Sequence, residues 1–155
     1  MSWSALARGA PTIAERGKRA LEGVGLALLG TLRPDGWPRI GPVEPHVDRG
    51  RLLIGVMPRS LRARDLARDP RCTLQSVVSH PNSGEPELKL YCRAVSALGE
   101  PQGAWWSGRP ADDVRVFELV VEQAAFVDWD LARAEMTVTS WSAAQGLRTA
   151  TRPYP

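Results

Sequence analysis

"VGLALLGTLRPDGWPRIGPVEPHVDRGRLLIGVM", Val24 to Met57, reads as three strands joined by two tight turns. VGLALLGTL is an apolar run, Pro34-Asp35-Gly36 supplies turn conformers, RIGPVEPHV follows, and Asp48-Arg49-Gly50 turns the chain again before RLLIGVM. Strands linked by connections this short pair antiparallel, because parallel neighbours require a long crossover. Pro42 and Pro45 cannot donate to a ladder. The strand from Arg39 to Val47 is therefore expected along an edge, or with a bulge, its open side facing something other than a strand.

Outward from this meander the pattern stays mostly β. Upstream, Thr12-Ile13-Ala14-Glu15 has the form of a capping box, and Ile13, Ala20 and Leu21 share a face, which predicts an amphipathic helix over 12–22 that ends at Gly23. Downstream, GVMPRSLRARDLARDP (Gly55 to Pro70) predicts a two-turn helix with Ser60 as N-cap, an apolar face of Ala63, Leu66 and Ala67, and Pro70 as the stop. CTLQSVV and LKLYCRAVSAL are strand-like and flank a polar loop. RVFELVVEQAAFVDW alternates Phe117, Leu119 and Val121 against Glu118 and Glu122, and AEMTVTSW closes the pattern. Six or seven strands with two short helices predict a mainly β protein, an antiparallel barrel over 24–141 followed by a tail over 142–155, in one domain spanning 1–155.

Length and composition narrow the function classes. A chain of 155 residues without linker, repeat or low-complexity tract suits a single core. No apolar run is long enough to span a bilayer and the N-terminal residues lack a signal-peptide core, so a cytoplasmic protein with no membrane partner is expected. The two cysteines, Cys72 and Cys92, each lie in a strand-like segment and suggest buried thiols rather than a disulfide scaffold. Metal spacing is absent, and no metal is expected. His46 and His80 are of the residue type suited to acid–base work but have no ligand-spaced partner. Serine-hydrolase elbows, P-loops and dinucleotide fingerprints are missing. The net charge of +3 is carried by eighteen arginines and two lysines, too diffuse a pattern to make nucleic acid the expected partner.

The arginine helix after Met57 is the exception to this diffuseness. The first turn of a helix exposes N–H groups without internal partners, and Arg59, Ser60 and Arg62 add donors at the same end, a combination suited to a phosphate. The competing reading of the charge pattern is a solvated face on which Asp65 and Asp69 pair with Arg62, Arg64 or Arg68. Trp105 and Trp106, adjacent in an irregular stretch, suit either a lid over a flat ligand or a hydrophobic anchor.

LALLGTLRPDGWPRIGPVEP followed by RLLIGVMPRSLRARDLARDPRCTL resembles the first half of the pyridoxamine 5'-phosphate oxidase-like, FMN-binding split-barrel family, and MTVTSWSAAQGLR resembles its last strand and tail. The resemblance is good over 24–79 and looser beyond. It implies a six-stranded, Greek-key split barrel that forms a homodimer with FMN, or the deazaflavin F420, at the subunit interface. By position, the family's Ser-x-Lys phosphate contact falls on Ser60 and Arg62, and its phosphate-contacting arginine on Arg39. The strand under the flavin ring is then Arg39 to Glu44, with Pro42 and Val43. Val56 and Met57 line the ring and ribityl chain, Arg59 adds a phosphate ligand, and Trp141 approaches the flavin from the tail.

Glu44 stands where the vitamin-making oxidases place a phosphate-binding lysine, and their C-terminal arginine motif is missing, which argues against pyridoxamine-phosphate oxidation itself. The implied function is that of an FMN-binding oxidoreductase transferring hydride between flavin and a small-molecule substrate, with no catalytic side chain assigned. The alternatives are an F420-dependent reductase, or a module that holds flavin or haem without turnover.

Overall fold

A computed structural model of the chain describes residues 2–80, 82–97 and 114–154; Trp105 and Trp106 lie outside them. The elements are α1 (Trp3–Gly9), α2 (Pro11–Val24), β1 (Ala27–Leu32), β2 (Pro38–Val43), β3 (Pro45–Asp48), β4 (Arg51–Val56), α3 (Leu61–Arg68), β5 (Arg71–Ser76), β6 (Glu87–Ser96), β7 (Arg115–Asp130), β8 (Glu135–Ser142) and β9 (Gly146–Pro153). Every strand pairing among the described residues is antiparallel.

The strand order is β2-β1-β5-β6-β7-β4-β3. The proline-bearing strand is two strands that break at Glu44, and its halves occupy the two opposite ends of that order. Both halves are edges, as segments short of N–H donors must be. Because they are consecutive in the chain, the step through Glu44 carries the backbone from one edge of the sheet to the other and closes the barrel. β7 forks: Arg115 to Glu118 pair with β4, Gln123 to Asp130 pair with β8, and β6 runs along most of its length.

Burial alternates along β5 and β6, so Cys72, Leu74, Leu88, Leu90, Cys92 and Ala94 point into the barrel, where they meet Leu29, Ile54, Leu119 and Phe126. The helices cover this core with Leu6, Ile13 and Leu21. No helix among the described residues is long and apolar enough to cross a membrane.

Three expectations are corrected. The capping box is not made: Pro11 at the first helical position starts α2 earlier, Ala10 is its N-cap, and the helix ends at Gly25, whose φ of +73° provides the left-handed turn that Gly23 does not. α1 is additional, and it stands on tertiary contacts alone, with no side-chain cap; Trp3 and Leu6 are buried, and Ser4 donates through both N–H and Oγ to the Gly50 carbonyl at 2.9 Å. The segment after Ser142 is not a tail but β9, hairpinned to β8 through Gly146 and exposed along its whole length. The described strands number nine where six or seven were expected, the excess over seven coming from β9 and from the break at Glu44.

Gly9 ends α1 against the indole of Trp141, where a Cβ would overlap Nε1 and lie 2.8 Å from Cε2. Alanine ordinarily improves a helix by about 1 kcal/mol over glycine. Here the ring is buried and cannot yield, so Gly9→Ala is expected to destabilise the chain by about 1–3 kcal/mol. Urea unfolding followed by tryptophan emission measures this, and a variant as stable as the parent contradicts the packing described.

Candidate functional site

α3 follows β4 through a turn in which Ser60 N–H donates to the Met57 carbonyl. Ser60 is extended and its Oγ accepts from Ala63 N–H at 3.1 Å, so the predicted N-cap is present. Ser60 O accepts from Arg64 N–H, which leaves the N–H groups of Leu61 and Arg62 at the helix start without intrahelical acceptors.

The buried face of α3 holds Ala63, Asp65 and Leu66; Ala67, expected there, is exposed. Asp65 is 3 % exposed and points between β1 and β2. Its Oδ2 accepts from Arg39 Nε at 2.6 Å and from Thr31 Oγ1 at 3.0 Å, and Arg68 Nη2 lies 3.7 Å from Oδ1. Burial works against this carboxylate, but the hydrogen bonds from Arg39 and Thr31 and the charges of Arg39 and Arg68 outweigh it and hold its pKa below the ordinary range. Arg68 also donates to the Leu32 carbonyl. The solvated-face reading of α3 holds only for the Asp65–Arg68 pair: Asp65 also turns inward to Arg39, and Asp69 pairs beyond the helix with Arg71, whose hydrogen bonds lower its pKa to about 2.

Arg62 is left over. Its Nη1 donates to the Pro42 carbonyl at 2.9 Å, which ties α3 to the edge strand, but Nε is buried without a hydrogen-bond partner and the guanidinium pairs with no carboxylate among the described residues. Burial first, and the charge of Arg39 second, lower its pKa. A cation so placed has lost hydration without gaining a counter-charge. Arg59 and Arg64 are exposed and make no ion pair among the described residues. Arg39, Arg62 and Arg68 thus gather at a corner where Asp65 is the only buried carboxylate among the described residues, and Arg39 lies close enough to Arg62 for their charges to act on each other.

Gly41 makes the arrangement possible, since a Cβ there would overlap Arg62 Nη2. The overlap is with the far end of a flexible side chain, so Gly41→Ala is expected to move Arg62 off Pro42 at a stability change within about 0.5 kcal/mol. Phosphate or other anion affinity falls with it. Thermal melting with and without added anion measures both, and an unaltered anion response contradicts the role given to Gly41.

The remaining predicted residues divide. Pro42 and Met57 are exposed beside this corner, whereas Val43, Val56 and Trp141 face the core, Trp141 beneath α1. His80 is exposed, and its Nδ1 accepts from Asn82 N–H. His46 sits half-buried on β3.

A second feature was not anticipated from the sequence. On the outer face of the sheet the register aligns Ile40, Gly30, Thr73, Tyr91 and Gln123 in one row across β2, β1, β5, β6 and β7. They line an open groove of about 390 Å³. Gly30 forms its floor, because a Cβ there would stand 2.6 Å from Thr73 Oγ1. Ile40 at 68 % and Tyr91 at 49 % exposure give it apolar walls. The signal available was alternation: outward positions of β2 and β6 hold an isoleucine and a tyrosine where a solvated face carries polar residues. A larger groove, about 540 Å³, lies between α2 and the 77–86 loop, but its charges are internally met: Arg16 by Asp128, and Glu85 by Ser79 and Ser83.

No family model matches the chain, and no curated protein does. Solved structures do. PhzG from Burkholderia lata 383, in complex with tetrahydrophenazine-1-carboxylic acid, is 12 % identical with a TM-score of 0.64, the match covering 97 % of this chain and 91 % of that one. A pyridoxamine 5'-phosphate oxidase-related, FMN-binding protein from Nostoc punctiforme PCC 73102 is 14 % identical with a TM-score of 0.59 over 92 % and 95 % of the two chains. An F420 reductase is 19 % identical with a TM-score of 0.52 over 65 % and 87 %. At these identities the likeness is one of fold: the chain folds as the split barrel that these proteins share.

Proposed function

We propose that this split barrel is a homodimeric oxidoreductase that binds FMN and passes hydride between it and a small substrate. The observation that carries the reading is the half-buried Arg62 guanidinium, with its unpartnered Nε and no carboxylate, beside the free N–H groups that open α3. An anion bound there removes the desolvation cost that Arg62 now bears. A phosphate meets those N–H groups, the Arg62 and Arg59 guanidiniums, and the Ser60 hydroxyl, which still has its hydrogen to donate. Arg39 acts one step away: engaged with Asp65, it adds positive charge and holds β2 against α3. The site fits a phosphate tail, and a neighbour described as FMN-binding supports a flavin as its owner.

When bound, flavin supplies the hydride chemistry itself. The chain's task is to hold and orient it. Pro42 and Met57 offer exposed apolar contact beside the anchor, and the Ile40–Tyr91 groove, open to solvent, offers flat apolar surface on the outer face. Leu28, Ile40, Tyr91 and Val95 are all exposed on the strands of this face, which supports a second copy of the chain packing over it. Cytoplasmic location is part of the same proposal.

The purified protein is expected to be yellow, or to take up FMN stoichiometrically with the flavin spectrum perturbed, and to elute as a dimer. The F420 reading, supported by the reductase of the same fold, is distinguished by saturation with F420 and not FMN. Retention of either, or of haem, without reduction by nicotinamide donors or substrate assigns a carrier. A colourless protein that FMN and F420 both fail to saturate removes the proposal.

A further inference from the structure

The two cysteines of this chain, of 155 residues, occupy one register position: Cys72 on β5 stands directly opposite Cys92 on β6. Directly opposed residues of an antiparallel pair have Cα atoms about 4.5–5.5 Å apart, within the roughly 4.4–6.8 Å that a disulfide bridges. Both side chains project to the same inner face, between Leu74 and Leu90 on one side and Ala94 on the other, and both thiols are free. Neither belongs to the phosphate corner; both lie along the outer groove beside Thr73 and Tyr91.

We propose that Cys72 and Cys92 are a site of reversible oxidative modification, closing to an intrachain disulfide when the chain meets a peroxide. The thiolate of one cysteine attacks a peroxide oxygen; the O–O bond breaks and the departing oxygen leaves as water after taking up a proton. The sulfur of the second cysteine then attacks the sulfenic acid so formed, the S–S bond replaces the S–O bond, and a second water leaves. In sum two thiols give up two electrons and two protons, and one peroxide becomes two waters.

The environment sets the pace. Burial pushes the Cys72 thiol up to about 12, and burial first, then the charges of Cys72 and Glu122, raise that of Cys92 well above the usual thiol range. The reactive thiolate is scarce at neutral pH, so closure is slow there and quickens as pH rises. Once formed, the bond lies under Thr73 and Tyr91, ties β5 to β6 across the 77–86 loop, and stiffens the floor of the outer groove.

The test exposes the whole reduced chain to hydrogen peroxide at pH 9. Digestion without reduction is expected to give one peptide pair joined through Cys72 and Cys92, the product running as a single chain on a non-reducing gel. Dithiothreitol should restore both thiols, and the oxidised form should melt about 5–10 °C higher. Cys92→Ala, or Cys72→Ala should the first not fold, gives no linked pair. Surviving thiols, sulfinic or sulfonic products without the linked pair, bonds between chains, or an oxidised form that melts lower each overturn the proposal.

Discussion

Asp65→Ala is expected to destabilise the fold by about 3 kcal/mol, a large share of the total for a domain of this size. The carboxylate is the meeting point of Thr31 on β1, Arg39 on β2 and Arg68 on its own helix. Its removal leaves the Thr31 hydroxyl without its acceptor and strands the mostly buried Arg39, whose charge already bears on Arg62. The cost follows from the unpaired partners more than from the lost attraction.

The same residue sets an acid limit. A carboxyl whose folded pKa lies below its unfolded value contributes in full above the unfolded value, about 3.9, and loses that contribution as pH falls through the folded one. Between pH 7 and about 4 the parent and Asp65→Ala should therefore differ by a constant amount, and below about pH 4 the difference should shrink. Asp65→Asn, which keeps an acceptor for Thr31 but no charge, should fall between them. Urea unfolding across that range measures all three; an alanine variant within 1 kcal/mol of the parent at pH 7 contradicts the hub.

Arg62→Ala separates function from stability. Loss of one charge-assisted contact to phosphate is expected to weaken FMN binding by about 1.5–3 kcal/mol, tenfold to more than a hundredfold in Kd. The empty protein should be as stable as the parent or more so, because the substitution removes a half-buried cation that has an unpartnered nitrogen and lies close to the charge of Arg39. A residue whose deletion stabilises the fold while weakening a ligand is held for the ligand. Arg62→Lys keeps the charge but loses the planar fork, and should recover only part of the affinity. Fluorescence titration with FMN and parallel urea curves give the two numbers. Unchanged affinity returns Arg62 to the role of a strut on Pro42.

The meander from β1 to β4 was legible because each turn has a local cause: Gly36 at φ +86° and Gly50 at φ +76° take conformations that side chains resist. The prolines announced edges, and Ser60 announced α3. What stayed hidden depends on distant partners. α1 has no cap of its own and exists because Gly50 and the core receive it. β9 is exposed throughout, so no burial pattern marks it. Asp65 reads as a polar residue on a charged helix until β1 and β2 supply Thr31 and Arg39. The positional carry-over that named Val43, Val56 and Trp141 carries no side-chain direction; the structure adds that all three face the core.

The forked strand β7 has a consequence for how the chain is made. On the ribosome, β1 to β6 emerge first, at about 5–20 residues per second, yet β4 and β6 both wait for a common neighbour that is encoded after them. Until Arg115 to Asp130 leave the exit tunnel, two apolar strands hold unsatisfied borders, and the nascent chain is an incomplete cylinder vulnerable to strangers. Such a topology places its self-association hazard before synthesis is finished rather than after, and a growing chain stalled short of β7 should be a strong client for chaperones.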